Sequence, residues 1–405
     1  MDDTLSLMGE GYDYIKNRCG KLQTDIFETR LLGGKVICMT GADCAKLFYD
    51  NEKFERKNVA PKRVQKTLFG ENAIQGMDGK AHAHRKQLFI SLADRPNQEK
   101  LAGLMTEKWL ASVNVWENSE NIVLFDEARN KLTQAACQWA GVPLPDEELA
   151  ERADDFAAMV DSFGSVGPRH WKGRRARTRC EEWMRGIIVN TRLGNLNANE
   201  GAALHEIAFH KDPDGNPLDE KMAAVELINA IRPIVAISTY IAFMALALHV
   251  NPGCRQPLQT GDGEYFEMFV QEVRRFFPFT PFVGARVKQD FAWNNVRFPS
   301  DTLVLLDVYG TDHDPRIWDD PYAFRPERFR NWDHGIFNFI PHGGDPASGH
   351  RCPGEGITVE ILKATLDFLV NKIEYHLPEQ DLSYSLAKIP ALPESKIILS
   401  SLKRK

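Results

Sequence analysis

Several features are missing from this sequence of 405 residues, and each absence excludes a class of protein. The seven cysteines are scattered, their number is odd, and no two form a C-x-x-C pair, which argues against a disulfide framework or zinc site and favours a reducing compartment. There is no basic excess, because the net charge is −6 and the pI about 6.0, so bulk attraction to nucleic acid is not expected. Internal repeats and low-complexity tracts are also absent. With 43% hydrophobic and 26% charged residues, the composition indicates an ordinary soluble globular protein.

The sequence also lacks a long uninterrupted apolar run. Its N-terminus, MDDTLSLMGEGYDY, is acidic and has no apolar centre, so we expect neither a signal peptide nor a membrane anchor. The longest apolar run, 234–250, contains Ser238 and Thr239, and its uninterrupted part is shorter than a transmembrane helix requires. We therefore predict a buried core helix there, and a cytoplasmic protein.

What the sequence does contain is a glycine- and proline-rich stretch at 337–369, FNFIPHGGDPASGHRCPGEGITVEILKATLDFL, with one cysteine, Cys352. Pro353 directly follows and is predicted to open a helix whose apolar residues repeat at helical spacing. Backbone N–H groups and the helix dipole at that position favour a thiolate. Such a thiolate suits axial ligation of a haem iron. For any single cysteine, however, the commoner outcome is a plain buried side chain.

Three motifs in the same order resemble the cytochromes P450. HRCPG around Cys352 resembles the haem-thiolate loop of that family, Glu272 and Arg275 in QEVRRFFPF fit its E-x-x-R motif, and PERF at 326–329 fits its third signature. The resemblance implies a mainly α fold with small β-sheets, as one domain spanning 1–405. Haem b would lie between a long distal helix and the proximal Cys352 loop and helix. Glu272, Arg275 and Arg328 would form a buried ion triad.

A basic stretch at 56–89 is predicted to become helical near Gly79, where His82, Arg85 and Lys86 share one face. Alone, such a run is usually a solvated helix face. Given a haem, the resemblance implies that cations here meet its propionates. The cofactor-binding candidates are Arg56, His82, Lys86, His350 and Cys352, with Lys62, Arg85 and Arg286 as weaker ones.

The second informative stretch is 219–250, DEKMAAVELINAIRPIVAISTYIAFMALALHV, which is apolar on nearly every side and predicts a long buried helix. Pro233 should bend this helix by removing one backbone hydrogen bond. Arg232 stands in its middle and needs an anion from the protein or a ligand, because an unpaired buried charge is unfavourable. Ordinary cytochromes P450 carry an acid and a threonine at this bend, and neither Arg232 nor Pro233 can relay protons in their place.

This departure, together with an inserted DPASG at 345–349, resembles the fatty-acid peroxygenase branch of the family over nearly the whole chain. The resemblance implies a hydrogen peroxide-dependent hydroxylation of long-chain fatty acids at Cα or Cβ, without a reductase. Arg232 would hold the substrate carboxylate, and this carboxylate would act as the acid–base group. Pro233 would lie beside Arg232, and Gln75 would overhang the iron. The apolar wall would comprise Phe69, Val160, Phe163, Phe279 and Phe282, although each phenylalanine could equally be core packing.

Alternatives to hydroxylation remain at this point. Some members of the branch decarboxylate fatty acids to terminal alkenes, and the known decarboxylase carries histidine at the position of Gln75, which favours hydroxylation here. A conventional monooxygenase supplied by a redox partner is the second alternative, against which Arg232-Pro233 argues. A haem-binding sensor or fatty-acid carrier without turnover is the third. The basic run at 167–179 is expected to be a solvated face or channel rim.

Overall fold

The computed structural model describes residues 2–261, 263–333, 335–346 and 348–405. Helices dominate, as predicted. The α-helices are α1 (Thr4–Glu10), α2 (Tyr14–Leu22), α3 (Ala42–Phe48), α4 (Lys62–Val64), α5 (Gly79–Leu92), α6 (Arg95–Trp116), α7 (Leu124–Ala140), α8 (Leu149–Asp161), α9 (Pro168–Arg192), α10 (Ala203–Ala208), α11 (Glu220–Ala236), α12 (Ser238–Val250), α13 (Arg255–Gln259), α14 (Gly263–Phe276), α15 (Val308–Thr311) and α16 (Glu355–Asp367). Ala347, part of the DPASG insertion, lies outside the described residues.

The strands form small sheets at the periphery. They are β1 (Ile26–Leu31), β2 (Gly34–Met39), β3 (Phe54–Glu55), β4 (Asn121–Val123), β5 (Phe282–Val287), β6 (Phe291–Trp293), β7 (Val296–Phe298), β8 (Leu303–Asp307), β9 (Ile373–His376) and β10 (Ile398–Arg404). One sheet has the order β1-β2-β8-β5-β3, a second has the order β4-β10-β9, and β6 pairs with β7. Asn294 and Asn295 turn the last hairpin with φ of 46° and 62°, as Asn-Asn predicts.

The distal helix consists of α11 followed directly by α12. Asp219 caps its N-terminus, because its carboxylate accepts a hydrogen bond of 2.8 Å from the amide of Met222. α11 continues through Pro233, and the helical hydrogen-bond ladder is interrupted at Ile237, whose amide donates to the carbonyl of Ile234 at 3.1 Å. A bend of the axis at Pro233 stays a prediction. The proline removes one bond of the ladder, and the chain tightens one turn later.

By length and composition the helical stretch 220–250 is the candidate for a membrane-spanning helix within the described residues. Most of it is buried against other helices of the same chain, including α7 and α9. It therefore packs as a buried core helix, as the sequence predicts.

The proximal helix α16 packs against α6 and leads away from the Cys352 loop. The indole of Trp109 donates a hydrogen bond of 3.1 Å to the hydroxyl of Thr365 inside this contact, which ties the two helices together. The helix begins at Glu355, so the prediction that Pro353 opens it is wrong by two residues. Pro353 and Gly354 form the preceding turn instead.

The predicted ion triad is present behind the proximal loop. Glu272 on α14 accepts two hydrogen bonds from Arg275, and its Oε1 lies 3.2 Å from Nε of Arg328. Arg328 belongs to a short 3-10 helix, Pro326–Phe329, which is the PERF motif. The triad therefore joins α14 to the chain that precedes the Cys352 loop.

Candidate functional site

Cys352 lies at the end of its loop, three residues before α16. Its amide donates a hydrogen bond of 2.8 Å to the carbonyl of His342, and the amide of Gly354 is directed at its sulfur. Burial nevertheless raises the pKa of the Cys352 thiol, and the contributions of Gly354 and Lys86 only partly oppose it. The Gly354 amide and Lys86 favour the thiolate, as the sequence predicts, and burial of the side chain acts against them. A cationic partner such as a metal would complete the charge balance.

The Cys352 loop is fastened by charged side chains on both sides. The ammonium of Lys86 on α5 donates to the carbonyl of Arg351, adjacent to the cysteine. Nε of Arg351 lies 2.6 Å from Oε2 of Glu355, and Arg274 from α14 pairs with the same carboxylate. The structure thus places Lys86, a predicted cofactor-binding residue, against the proximal loop.

The other predicted cofactor-binding residues converge around Asp78, just before α5. The amide of Arg56 donates to both Asp78 oxygens at 2.9 and 2.8 Å, and Nε2 of His350 lies 3.4 Å from Oδ1. His82 stacks on His350 with 4.1 Å between ring centroids. Burial, followed by the charge of His350, lowers the pKa of His82 to about 4, so this imidazole is neutral near pH 7.

Arg56 provides the clearest test of whether a haem fits these residues. Its side chain is buried over the ring of Phe48, yet Nη1 and Nη2 have no hydrogen-bond partner among the described residues. Burial lowers the pKa of this guanidinium. Two free donors on a buried cation suit a carboxylate ligand such as a haem propionate.

The weaker candidates are engaged elsewhere or exposed. Arg85 pairs with Glu226 on α11 at 3.0 Å. Arg286 donates to the carbonyls of Asn58 and Asp301, at 3.1 and 2.6 Å. Lys62 is exposed on α4. Arg56 is therefore better placed than these three to meet a buried anion.

Arg232 points into the interior from α11 and is only 7% exposed. Within the described part of the chain no hydrogen bond or ion pair involves its side chain, and its Nε is buried without a partner. Burial, and next the charge of Arg177, lower the pKa of Arg232 to about 9, while Cys352 acts in the opposite direction. The charge of Cys352 therefore contributes to the electrostatic environment of Arg232.

The predicted wall residues come from separate elements. Phe69 ends a short π-helical turn, Gln65–Phe69, and is half-buried, whereas Gln75 is exposed in the one-turn helix Ile74–Gly76. Phe163 is half-buried just beyond α8. Phe279 stacks on Tyr240 of α12 with 4.3 Å between centroids, so core packing accounts for one face of its ring.

Sequence reasoning missed the polar residues that surround Arg232 on neighbouring turns. Glu226 and Asn229 lie on α11 itself, and Arg177 reaches in from α9, with its Nη2 buried and unpartnered. A lone acid six residues before Arg232 in an apolar helix was a signal that could have drawn attention to Glu226.

Comparisons with known proteins show which proteins this chain is similar to. The family model described as Cytochrome P450 matches residues 261–399. A solved structure of cytochrome P450SP alpha (CYP152B1) with (R)-ibuprofen is 45% identical, with a TM-score of 0.97, and the match covers 100% of this chain and 99% of that chain. Cytochrome P450EX alpha (CYP152N1) with myristic acid is 44% identical, with a TM-score of 0.97 and coverage of 100% and 98%. A variant of cytochrome P450 OleT with arachidonic acid is 38% identical, with a TM-score of 0.97 and coverage of 100% and 97%.

Curated relatives are more distant. Beta-amyrin 28-monooxygenase of Saponaria officinalis is 23% identical over 403 residues, which cover 88% of this chain and 81% of that protein. Cytochrome P450 4e5, mitochondrial, of Drosophila mettleri is 29% identical over 118 residues, which cover 29% of this chain and 22% of that protein. The solved CYP152 structures named above match this chain over its full length.

Proposed function

Because this chain belongs to the cytochrome P450 superfamily, in the branch of the CYP152 fatty-acid peroxygenases, we propose that it uses hydrogen peroxide to hydroxylate long-chain fatty acids at Cα, Cβ or both. The enzyme is a haem-thiolate oxidoreductase, and no reductase takes part in the proposed reaction. It acts as one domain over residues 1–405 in the cytoplasm, which its seven unpaired cysteines support.

Cys352 would ligate the iron of haem b, and Arg56 would bind a propionate through its two free Nη groups. The stacked imidazole rings of His82 and His350 would line the same haem site. Lys86 holds the proximal loop through its hydrogen bond to the carbonyl of Arg351. When bound, the haem supplies the redox chemistry that cleaves peroxide and oxidises a C–H bond.

The observation that carries the proposal is the unpaired, buried guanidinium of Arg232. A buried cation without an anion is unfavourable, and a fatty-acid carboxylate would supply the missing charge in a bidentate contact. The neighbouring buried cation, Arg177, is already paired with Glu181 at 2.6 Å, so Arg232 is the cation that needs an anion here. Solved relatives with myristic and arachidonic acid agree with a fatty-acid substrate.

The same contact accounts for acid–base chemistry and for position. Neither Arg232 nor Pro233 can exchange a proton near pH 7, so the bound carboxylate performs that step in their place. One oxygen atom of peroxide enters a C–H bond of the substrate, and the other leaves as water. With the carboxylate held by Arg232, Cα and Cβ are the carbons nearest the reacting centre. Phe69, Phe163 and Phe279 provide apolar surface for the alkyl chain, and Gln75 lies on the distal side.

Product analysis by mass spectrometry tests the proposal. Purified holoenzyme receives a long-chain fatty acid and hydrogen peroxide without a redox partner, beside an Arg232→Ala variant. We expect 2- or 3-hydroxy acid from the wild type and a loss of at least about 100-fold in the variant. The exposed Arg325, paired with Asp319 at 3.1 Å, gives a control, because Arg325→Ala should keep full activity.

Other outcomes select other functions. Terminal alkene as the main product would make the protein a decarboxylase and would overturn the role assigned to Gln75. Turnover only with a redox partner would make it a conventional monooxygenase. Tight fatty-acid binding without product under either condition would leave a haem-containing carrier or sensor.

A further inference from the structure

Residues 68–75 form a short segment, here called the distal segment, that carries Phe69 and Gln75 beside the distal helix. Buried polar side chains hold its backbone at three points. Nη1 of Arg177 donates to the carbonyl of Leu68 at 3.0 Å, and Nδ2 of Asn229 donates to the carbonyl of Phe69 at 2.9 Å. The amide of Ile74, directly before Gln75, donates to Oε1 of Glu226 at 3.1 Å.

Glu226 is the centre of this arrangement. Its side chain is 0% exposed and accepts hydrogen bonds from three different parts of the chain. Besides the Ile74 amide, Nη1 of Arg85 on α5 lies 3.0 Å from Oε1, and Nδ2 of Asn229 lies 3.1 Å from Oε2. One carboxylate thus joins the distal helix, α5 and the distal segment.

The position of Glu226 along α11 relates it to the proposed substrate anchor. Glu226, Asn229 and Pro233 are spaced i, i+3 and i+7, so they lie on one face of the helix, and Arg232 is adjacent. With a rise of about 1.5 Å per residue, Glu226 stands about 9 Å from Arg232 along the helix axis. A rigid helix therefore fixes the distance between the group that holds the distal segment and the group that holds the substrate carboxylate.

Stability is a poor explanation for this arrangement. Burial raises the pKa of Glu226, although Asn229, Arg85 and the Ile74 amide act in the opposite direction. Buried ion pairs are often no more stable than apolar residues of the same volume, and Nε of Arg85 remains buried without a partner. Apolar residues in the place of Glu226 and Arg85 could not hold the backbone of the distal segment in position.

We propose that Glu226 is a positioning residue, which fixes Phe69 and Gln75 relative to Arg232 and so determines which carbon of the substrate is oxidised. The inference rests on the proposed function and adds a determinant of regiochemistry. Glu226 acts through the segment, since its carboxylate is occupied by protein donors. A displacement of about 1 Å in such a wall changes the alignment of a reacting carbon strongly.

Two substitutions at Glu226 separate geometry from charge. In Glu226→Gln the amide oxygen still accepts from the amide of Ile74 and from Arg85, and only the contact with Nδ2 of Asn229 is lost, because an amide nitrogen in the place of Oε2 cannot accept a hydrogen bond. In Glu226→Ala all of these contacts are lost. We expect the ratio of 2-hydroxy to 3-hydroxy product to change by about threefold or more in Glu226→Ala, and to stay near the wild-type ratio in Glu226→Gln.

Hydrogen–deuterium exchange on the same proteins reports the position of the segment independently of turnover. The amide of Ile74 should exchange at least about tenfold faster in Glu226→Ala and remain protected in Glu226→Gln. Asp155→Ala is the matched control, because Asp155 is also a buried carboxylate paired with an arginine, Arg179, but lies on α8. This variant should lose stability without a change in product ratio.

Gly70→Ala disturbs the segment without touching Glu226. Gly70 has φ +89°, and a Cβ there would lie 2.5 Å from Nη2 of Arg177 and 2.5 Å from Cγ1 of Val225. The segment must shift, so the product ratio should change in this variant as well. If Glu226→Ala does not fold, the product ratio of Gly70→Ala tests whether the position of the distal segment determines regiochemistry.

The inference is overturned if the segment loses protection while the product ratio stays constant in Glu226→Ala and Gly70→Ala, or if protection of Ile74 is unchanged in Glu226→Ala. Failure of the proposed function looks different. The wild type would then form no hydroxy acid with peroxide, whereas the exchange measurement would still show whether Glu226 holds the segment.

Discussion

Glu272 and Arg275 form a doubly hydrogen-bonded ion pair, with 2.7 Å from Nε to Oε2 and 2.8 Å from Nη2 to Oε1, and both side chains are 0% exposed. Arg275 also donates to the carbonyls of Asp312 and Pro321, at 3.0 and 2.9 Å. A pair with its donors satisfied in this way is tolerated in the interior, but removal of Arg275 takes two hydrogen bonds from the buried Glu272 carboxylate and leaves Arg328 as its remaining charged partner.

We therefore expect Arg275→Leu to lower the free energy of unfolding by about 3 to 5 kcal/mol, measured by urea denaturation. Arg95→Ala is the comparison, because the Arg95 side chain is 63% exposed and its pair with Glu99 should contribute at most about 0.5 kcal/mol. If Arg275→Leu and Arg95→Ala lowered the free energy of unfolding by similar amounts, burial would not explain the contribution of Arg275.

Arg232 is predicted to reduce stability in the absence of substrate. Because its buried charge has no partner among the described residues, Arg232→Met should raise the free energy of unfolding of the fatty-acid-free protein by about 1 to 3 kcal/mol. Thermal unfolding with and without myristic acid measures this. The ligand should stabilise the wild type and leave the variant unchanged, and equal stabilisation of both would show that the carboxylate binds elsewhere.

Haem retention should depend on Arg56. Its two free Nη groups make Arg56→Met lose a charge-assisted contact with a propionate, and we expect haem transfer to apomyoglobin to become about tenfold faster. Arg286→Met removes a cation that is already bound to Asn58 and Asp301, so its transfer rate should match the wild type. If haem transfer were faster from Arg286→Met than from Arg56→Met, Arg286 and not Arg56 would be the residue that binds the propionate.

The buried carboxyl group of Asp307 should make the free energy of unfolding depend on pH. Burial raises its pKa from 3.8 to about 7, although Oδ1 accepts a hydrogen bond of 2.7 Å from the amide of Gly310. The folded protein therefore binds a proton more tightly than the unfolded chain, and this residue makes folding less favourable as the pH rises from 4 through 7.

Asp307→Asn keeps the acceptor for Gly310 and removes the charge. We expect it to raise the free energy of unfolding by about 4 kcal/mol at pH 8 and to have little effect at pH 4, in urea titrations at both values. A gain of equal size at the two pH values would mean that ionisation of Asp307 is not its cause.

The sequence predicted the parts of this protein that depend on local pattern. The Asn294-Asn295 turn was expected because two consecutive residues of this type tolerate positive φ. The apolar character of 219–250 on nearly every side indicated the distal helix, and the resemblance of the E-x-x-R and PERF motifs to the cytochromes P450 implied the triad. Local pattern was less reliable at element ends: α16 begins at Glu355, and the distal helix breaks at Ile237.

Only the tertiary structure decided which charged groups meet. Arg85 and Lys86 are neighbours on α5, yet one pairs with Glu226 and the other with the carbonyl of Arg351, which lie 141 and 265 residues away. Burial, which no spacing reveals, raises the pKa of Cys352 and lowers that of Arg232. A motif is fixed by covalent spacing, whereas a partner or a desolvated charge depends on how distant elements pack.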